Sequence, residues 1–169
     1  MNKLLKSAQQ KLTLKVITLR DSEIYFNEEY DCNFRESVKH HFQSFGGVKA
    51  CNEIEFSPVE EDNDGFYQYK FLFANGIRVV LDTEQEADIE DEPEIIAEIK
   101  AFFEAAYESQ EKLSIEEVHA FSESNVQFNV WPFWREYVQS SCMRMNITPI
   151  SLPFHMVDSK ESKETKGNE

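Results

Sequence analysis

The sequence predicts an α+β fold in which helices pack on one side of an antiparallel sheet, and three observations predict it. Apolar and polar residues alternate with period two in four stretches between Leu12 and Tyr107. Near Asn129 the spacing becomes helical and stays so. Strands thus come in one block before the helices, the order of an α+β domain, and each strand keeps one wet face, which favours antiparallel over parallel pairing. The length, 169 residues, suits one domain. It is taken as residues 1–157, with 158–169 a polar tail that is disordered by composition.

Leu12, Leu14 and Val16 alternate with Lys11, Thr13 and Lys15, which makes the first strand. The phase changes at Ile17 and Leu19 and resumes at Ile24 and Phe26, so a bulge or bend is expected between Arg20 and Glu23. After a polar, His-containing connection broken by Gly46-Gly47, residues 52–57 form the second strand. Glu60–Gly65 is a turn signal, and Tyr67, Tyr69, Phe71 and Phe73 open the third strand, with these rings read as core. Asn75-Gly76 then allows either a two-residue hairpin or a bulge.

Eight acidic residues and no basic one between Asp82 and Glu94 mark a solvated excursion. Ile95 to Tyr107 alternates without a break, favouring a long fourth strand over a helix despite its Ala, Glu and Lys content. Ser114 with Glu117 matches a capping box, predicting a short helix over 115–121. A last helix is expected to start with Asn129 as cap and Pro132 in its first turn. Val130, Phe133, Trp134, Tyr137, Val138, Ser141 and Met145 would line its buried side, and Thr148, Pro149 and Pro153 end it.

Composition narrows the function. With 17 basic and 32 acidic residues, the formal charge of −15 repels phosphate backbones and anionic headgroups, so nucleic-acid binding is not expected. No apolar run approaches the roughly 18 residues of a membrane span, so no membrane insertion is expected. The first twenty residues are basic but lack a secretory pattern; an amphipathic targeting peptide is the alternative. Cys32, Cys51 and Cys142 are odd in number and without CxxC spacing, which argues against a disulfide framework and predicts a cytoplasmic protein.

The familiar phosphate-loop, dinucleotide, HExxH and GxSxG signatures are absent, so no enzyme and no cofactor are expected. His40 and His41, read as loop residues, do not combine with Cys32 and Cys51 in a zinc spacing, and no metal site is expected. Aromatic density beside heavy acidity instead suggests a protein that binds other proteins.

The segment NVWPFWREYVQSSCMRMNITPISL, Asn129 to Leu152, resembles the protein-export chaperone SecB, whose helix opens with an apolar-aromatic-Pro-aromatic-x-Arg-Glu motif. Here it reads Val130-Trp131-Pro132-Phe133-Trp134-Arg135-Glu136, and LKVITLRDSEIYFNEE is similar to the family's first strand. The resemblance implies a four-stranded antiparallel sheet with helices on one side, assembled as a homotetramer, a dimer of dimers. It implies a molecule that holds unfolded or non-native polypeptides without ATP and delivers them to the SecA export motor. The SecA-contacting positions would be Glu23, Ile96 and Glu98, with Asn27 standing where the family has a second acidic position. A divergent SecB-like branch stabilises the antitoxin of a toxin–antitoxin pair, which offers the alternative of a dedicated chaperone with one partner. In either case clients would enter an apolar groove between sheet and helices, for which Phe45, Val48, Phe121, Phe128, Trp131 and Phe133 are the candidates.

Overall fold

The computed structural model describes residues 3–57, 65–82 and 93–152. The elements are α1 (Lys3–Lys11), β1 (Thr13–Phe26), α2 (Phe34–Ser37), β2 (His40–Phe56), β3 (Phe66–Leu81), β4 (Ile95–Ser109), α3 (Ile115–Ser122) and α4 (Asn125–Arg144). The four strands form one antiparallel sheet in the order β1-β4-β3-β2. Consecutive strands β2, β3 and β4 are neighbours, whereas the chain between β1 and β2 travels from one edge of the sheet to the other. The expected α+β architecture is therefore present.

Register sorts the side chains into two faces. Tyr69, Phe71, Phe73, Ile77 and Val79 of β3 stand opposite Tyr107, Ala105, Phe103, Ile99 and Ala97 of β4. All ten are buried and belong to the core cluster that also holds Phe121, Val126, Val130 and Trp134 from the helices. Burying one such ring contributes roughly 2–3 kcal/mol, so the central strands carry most of the sheet's apolar stabilisation. Two of the tyrosines keep their hydroxyls satisfied across the layers. Leu113 N–H donates to Tyr69 at 2.8 Å, and Asn129 Nδ2 donates to Tyr107 at 2.9 Å.

Several expectations change in detail. β2 begins at His40, so His40 and His41 are strand residues and Gly46-Gly47 lies inside the strand. Pairing with β3 at sixteen positions supplies what local propensity lacks there. β3 runs through Asn75-Gly76 with no hairpin and no shift against β4 from Tyr67 to Val79. Both residues pair with β2 and β4, and glycine stands at 76 because the Phe45 ring of β2 lies over it, where an added Cβ would meet Phe45 Cε1 at 2.0 Å. β1 has two register shifts, at Leu14/Val16 and Leu19/Asp21, so Val16 faces away from Leu14. The fourth strand forms as expected and extends to Ser109.

At the N-terminus, Lys3–Lys11 is a helix packed on α3, with Ala8 buried. The capping box of α3 is present: Glu117 N–H donates to Ser114 Oγ at 3.2 Å, and Ser114 N–H donates to Glu117 Oε2 at 2.8 Å. α4 starts one turn earlier than the Asn129 cap implied, which leaves Pro132 inside the helix. Its buried line is Val126, Val130, Trp134, Val138 and Cys142, an i, i+4 series; Phe133, expected in the core, is exposed. Four residues advance a helix by slightly more than one turn, so this stripe drifts away from Phe133. The 158–169 tail, most of the Glu60–Gly65 turn and most of the Asp82–Glu94 run lie outside the described residues.

Candidate polypeptide-binding surface

α4 packs chiefly over β4, β3 and β2, and α3 is buttressed by α1. Because α3 stands beside the β2 edge without sealing it, a groove of about 540 Å³ opens between them. Val48, Cys51 and Phe73 from the sheet, and Ile115, Val118 and His119 from α3, line it. Ile115 is 84% exposed, an unusual state for an isoleucine at a helix start beside an apolar groove. Burial, with the charge of Glu53 adding to it, pushes the Cys51 thiol up to about 11. It therefore stays protonated at neutral pH and acts as apolar lining, not as a nucleophile.

The wall α3 is held by a charge cluster. Glu117 Oε1 accepts from Ser7 Oγ at 2.6 Å and from Lys11 Nζ at 3.0 Å, so α1 is tied to the first turn of α3. The Ser7 hydroxyl first, then the Ser114 N–H and the Lys11 ammonium, hold the Glu117 carboxyl down at about 2. Together they outweigh the desolvation that would raise it.

Of the six groove candidates, only Val48 lines this space. Phe121 is a core residue, packed on Phe71 and edge-on to Tyr107 at 5.0 Å. Phe45 pairs opposite Gly76 on the sheet face away from the helices, so it cannot join a groove between sheet and helices. Phe128 and Phe133 are exposed on α4, and Trp131 is half-buried against the core. Ile115 and Val118, which do line the groove, are an apolar pair in the first turn of the helix that the capping box defines.

Two of the expected SecA-contacting residues, Glu23 and Glu98, fall on the sheet face that is helix-free among the described residues. Glu23 stands opposite Lys100, whose ammonium binds Glu98 and lies 3.6 Å from Glu23. Ile96 is fully buried in the core cluster, so it offers no side chain to a partner; an aliphatic group on a central strand packs inward. Neighbouring carboxylates are paired in the same way, Glu104 with Arg20 and Glu108 with Lys15. The face is thus close to neutral where an acidic docking surface was expected.

Apolar surface also stays open elsewhere. Leu14, Leu19 and Ile24 of β1 point to the helix side, and among the described residues all three remain exposed. Phe128, Phe133 and Met143 do the same on α4. Among the described residues no group of His, Cys, Asp and Glu could hold a metal ion, and no helix is long and apolar enough to cross a membrane.

This arrangement has a counterpart among solved structures. The chain is similar to the Mycobacterium tuberculosis SecB-like chaperone Rv1957, solved in complex with a ChAD peptide from the Rv1956 HigA1 antitoxin. The TM-score is 0.62 at 13% sequence identity, and the match covers 89% of this chain and 96% of that one. The fold is SecB-like. At this identity the likeness is one of fold, and no protein-family model and no curated protein matches the sequence.

Proposed function

We propose that this SecB-like chain is an ATP-independent holding chaperone that captures non-native polypeptides on exposed apolar surface. The observation that carries the reading is the groove between β2 and α3, where Val48 and Val118 meet the largely exposed Ile115. Burying apolar client surface there is worth roughly 25 cal/mol per Å² and needs no fixed client sequence. Holding a non-native state also withdraws it from aggregation by mass action. The net charge of −15 favours client segments that carry basic residues beside apolar ones. The open apolar faces of β1 and α4 are assigned to contact between copies in a dimer of dimers.

A dedicated chaperone for one partner, such as an antitoxin, is the second reading, and the antitoxin peptide held by the Mycobacterium tuberculosis structure favours it. Delivery to SecA is the less supported extension, because Glu98 is engaged by Lys100 and Ile96 is buried.

The test is light scattering of a chemically denatured client diluted into stoichiometric amounts of the protein. Suppressed aggregation is expected, and Ile115→Asp should remove most of it while shifting stability by no more than about 0.5 kcal/mol, as for an exposed site. Unchanged aggregation with the intact protein would defeat the reading. Protection confined to one partner retrieved from a lysate would select the dedicated form.

A further inference from the structure

We propose that the chain carries a second docking site, on the sheet face away from the helices, where Arg78 receives a carboxylate from an acidic partner segment whose apolar residues rest on Phe45 and Leu72. The site lies across the sheet from the groove and does not depend on the chaperone reading. Gln43, Ser44, Phe45, Arg78 and Glu98 line a pocket of about 270 Å³ there. Register places Gln43, Arg78, Glu98 and Tyr25 in one row across all four strands.

The arginine is anchored without being paired. Its Nε donates to Gln43 Oε1 at 2.8 Å. Gln43 Nε2 lies 3.0 Å from His41 Nε2, and His41 Nδ1 is bonded to Asp82 at 2.6 Å, so a chain of three side chains fixes one edge of the guanidinium. Glu98, the carboxylate directly opposite, is turned along its own strand to the Lys100 ammonium, and Arg78 makes no ion pair among the described residues. An anchored guanidinium whose two Nη groups are unpaired is a fork that grips a carboxylate through two parallel hydrogen bonds.

Charge and shape define the occupant. With a net charge of −15 the molecule repels anions at a distance, yet on this face Glu98, Glu104 and Glu108 are neutralised by Lys100, Arg20 and Lys15. Lys70, on the same face of β3, is a second cation with no ion pair among the described residues. Between Lys70 and Arg78 the outward residues of β3 are Leu72, Ala74 and Gly76, with Phe102 opposite Ala74 and Phe45 opposite Gly76. At about 3.3 Å per residue the two cations stand roughly 26 Å apart along the strand. An apolar strip with a cation at each end is complementary to a segment that carries apolar residues between carboxylates. A basic segment would set its own cations against Arg78 and Lys70.

The probe is a synthetic peptide with Leu and Phe between two Glu at each end, compared with its Gln counterpart by fluorescence anisotropy on the intact protein. The Glu peptide should bind at least about tenfold more tightly, and Arg78→Gln should remove that advantage. Arg78→Lys should weaken binding about fivefold, because an ammonium keeps the charge and loses the fork. A second arm leaves Arg78 in place. Lys100→Gln frees Glu98 to occupy Arg78 and should weaken binding about fivefold, and Lys100→Gln with Glu98→Gln should recover it to within about twofold. Failure of the Glu peptide to bind, equal binding of the two peptides, or indifference to Arg78→Gln or to Lys100→Gln overturns the site. Competition between the Glu peptide and a denatured client would place the peptide in the groove and overturn it too, and a lower molar mass of Arg78→Gln would assign the face to a second copy instead. Failure of client protection with these bindings intact would defeat the chaperone reading and leave the second site standing.

Discussion

The two central strands and the two edge strands carry the same alternation of apolar and polar residues and meet different fates. On β3 and β4 the helix-side residues, such as Phe71 and Phe103, are sealed. On β1 and β2, Leu14, Leu19 and Phe42 occupy equivalent positions and remain open. The cause lies in the layer above: α4 covers the middle of the sheet, and α3 stands off from β2. Period-two patterning says which side chains share a face; whether that face is covered depends on how wide the covering layer is. In this protein the uncovered part is where binding is proposed.

The largest effect that sharpens this contrast should come from paired truncations. Phe71→Ala should cost about 3–5 kcal/mol in chemical denaturation, as for a ring removed from a sealed core, whereas Leu19→Ala should cost less than about 1 kcal/mol. Comparable losses at the two positions would mean that β1 is covered in solution, and a change of molar mass in Leu19→Ala would identify a second copy as the cover.

Next in size is the anchor of α3. Glu117→Gln should cost about 1–3 kcal/mol at neutral pH by weakening the bonds to Ser7 and Lys11. The folded state holds this carboxyl at about 2, below its ordinary value of 4.5. Its stabilisation is therefore complete above about pH 4.5 and is lost as pH falls toward 2. Thermal melts across that range should show the gap between wild type and Glu117→Gln closing on the acid side; a gap independent of pH would contradict the anchor.

The smallest effect concerns the seam between edge and centre. Gly76→Ala should cost about 1–2 kcal/mol, because its methyl would enter the space of the Phe45 ring. In a Phe45→Ala background the same substitution should be nearly neutral, and a double-mutant cycle measures the coupling. Additive costs would show that the ring does not occupy that position.

Much of this was legible in the sequence where the cause is local. The Ser114–Glu117 capping box, the unbroken alternation of 95–107 and the aromatic face of Tyr69, Phe71 and Phe73 each depend on residues close together in the chain, and each is found in the fold. The extent of β2 was not legible. Its N-terminal half, His40 to Val48, contains two glycines and little periodicity, and it becomes strand because β3 lies alongside with sixteen residues to pair. The groove suffered most, since Phe45 and Phe121 are equally apolar in sequence, yet one stands on the helix-free face and the other in the core.

The sequence by itself determined the class of the fold, the face to which the central side chains point and the excess of negative charge, because periodicity, capping and composition are properties of neighbouring residues. Only the tertiary structure decided that β1 and β2 are the edges, that α3 leaves a gap beside one of them and that the carboxylates of the open sheet face are paired with cations. Those outcomes depend on strand order and on residues far apart in the chain, as Arg20 with Glu104 or Val48 with Ile115, and no local pattern encodes such distances.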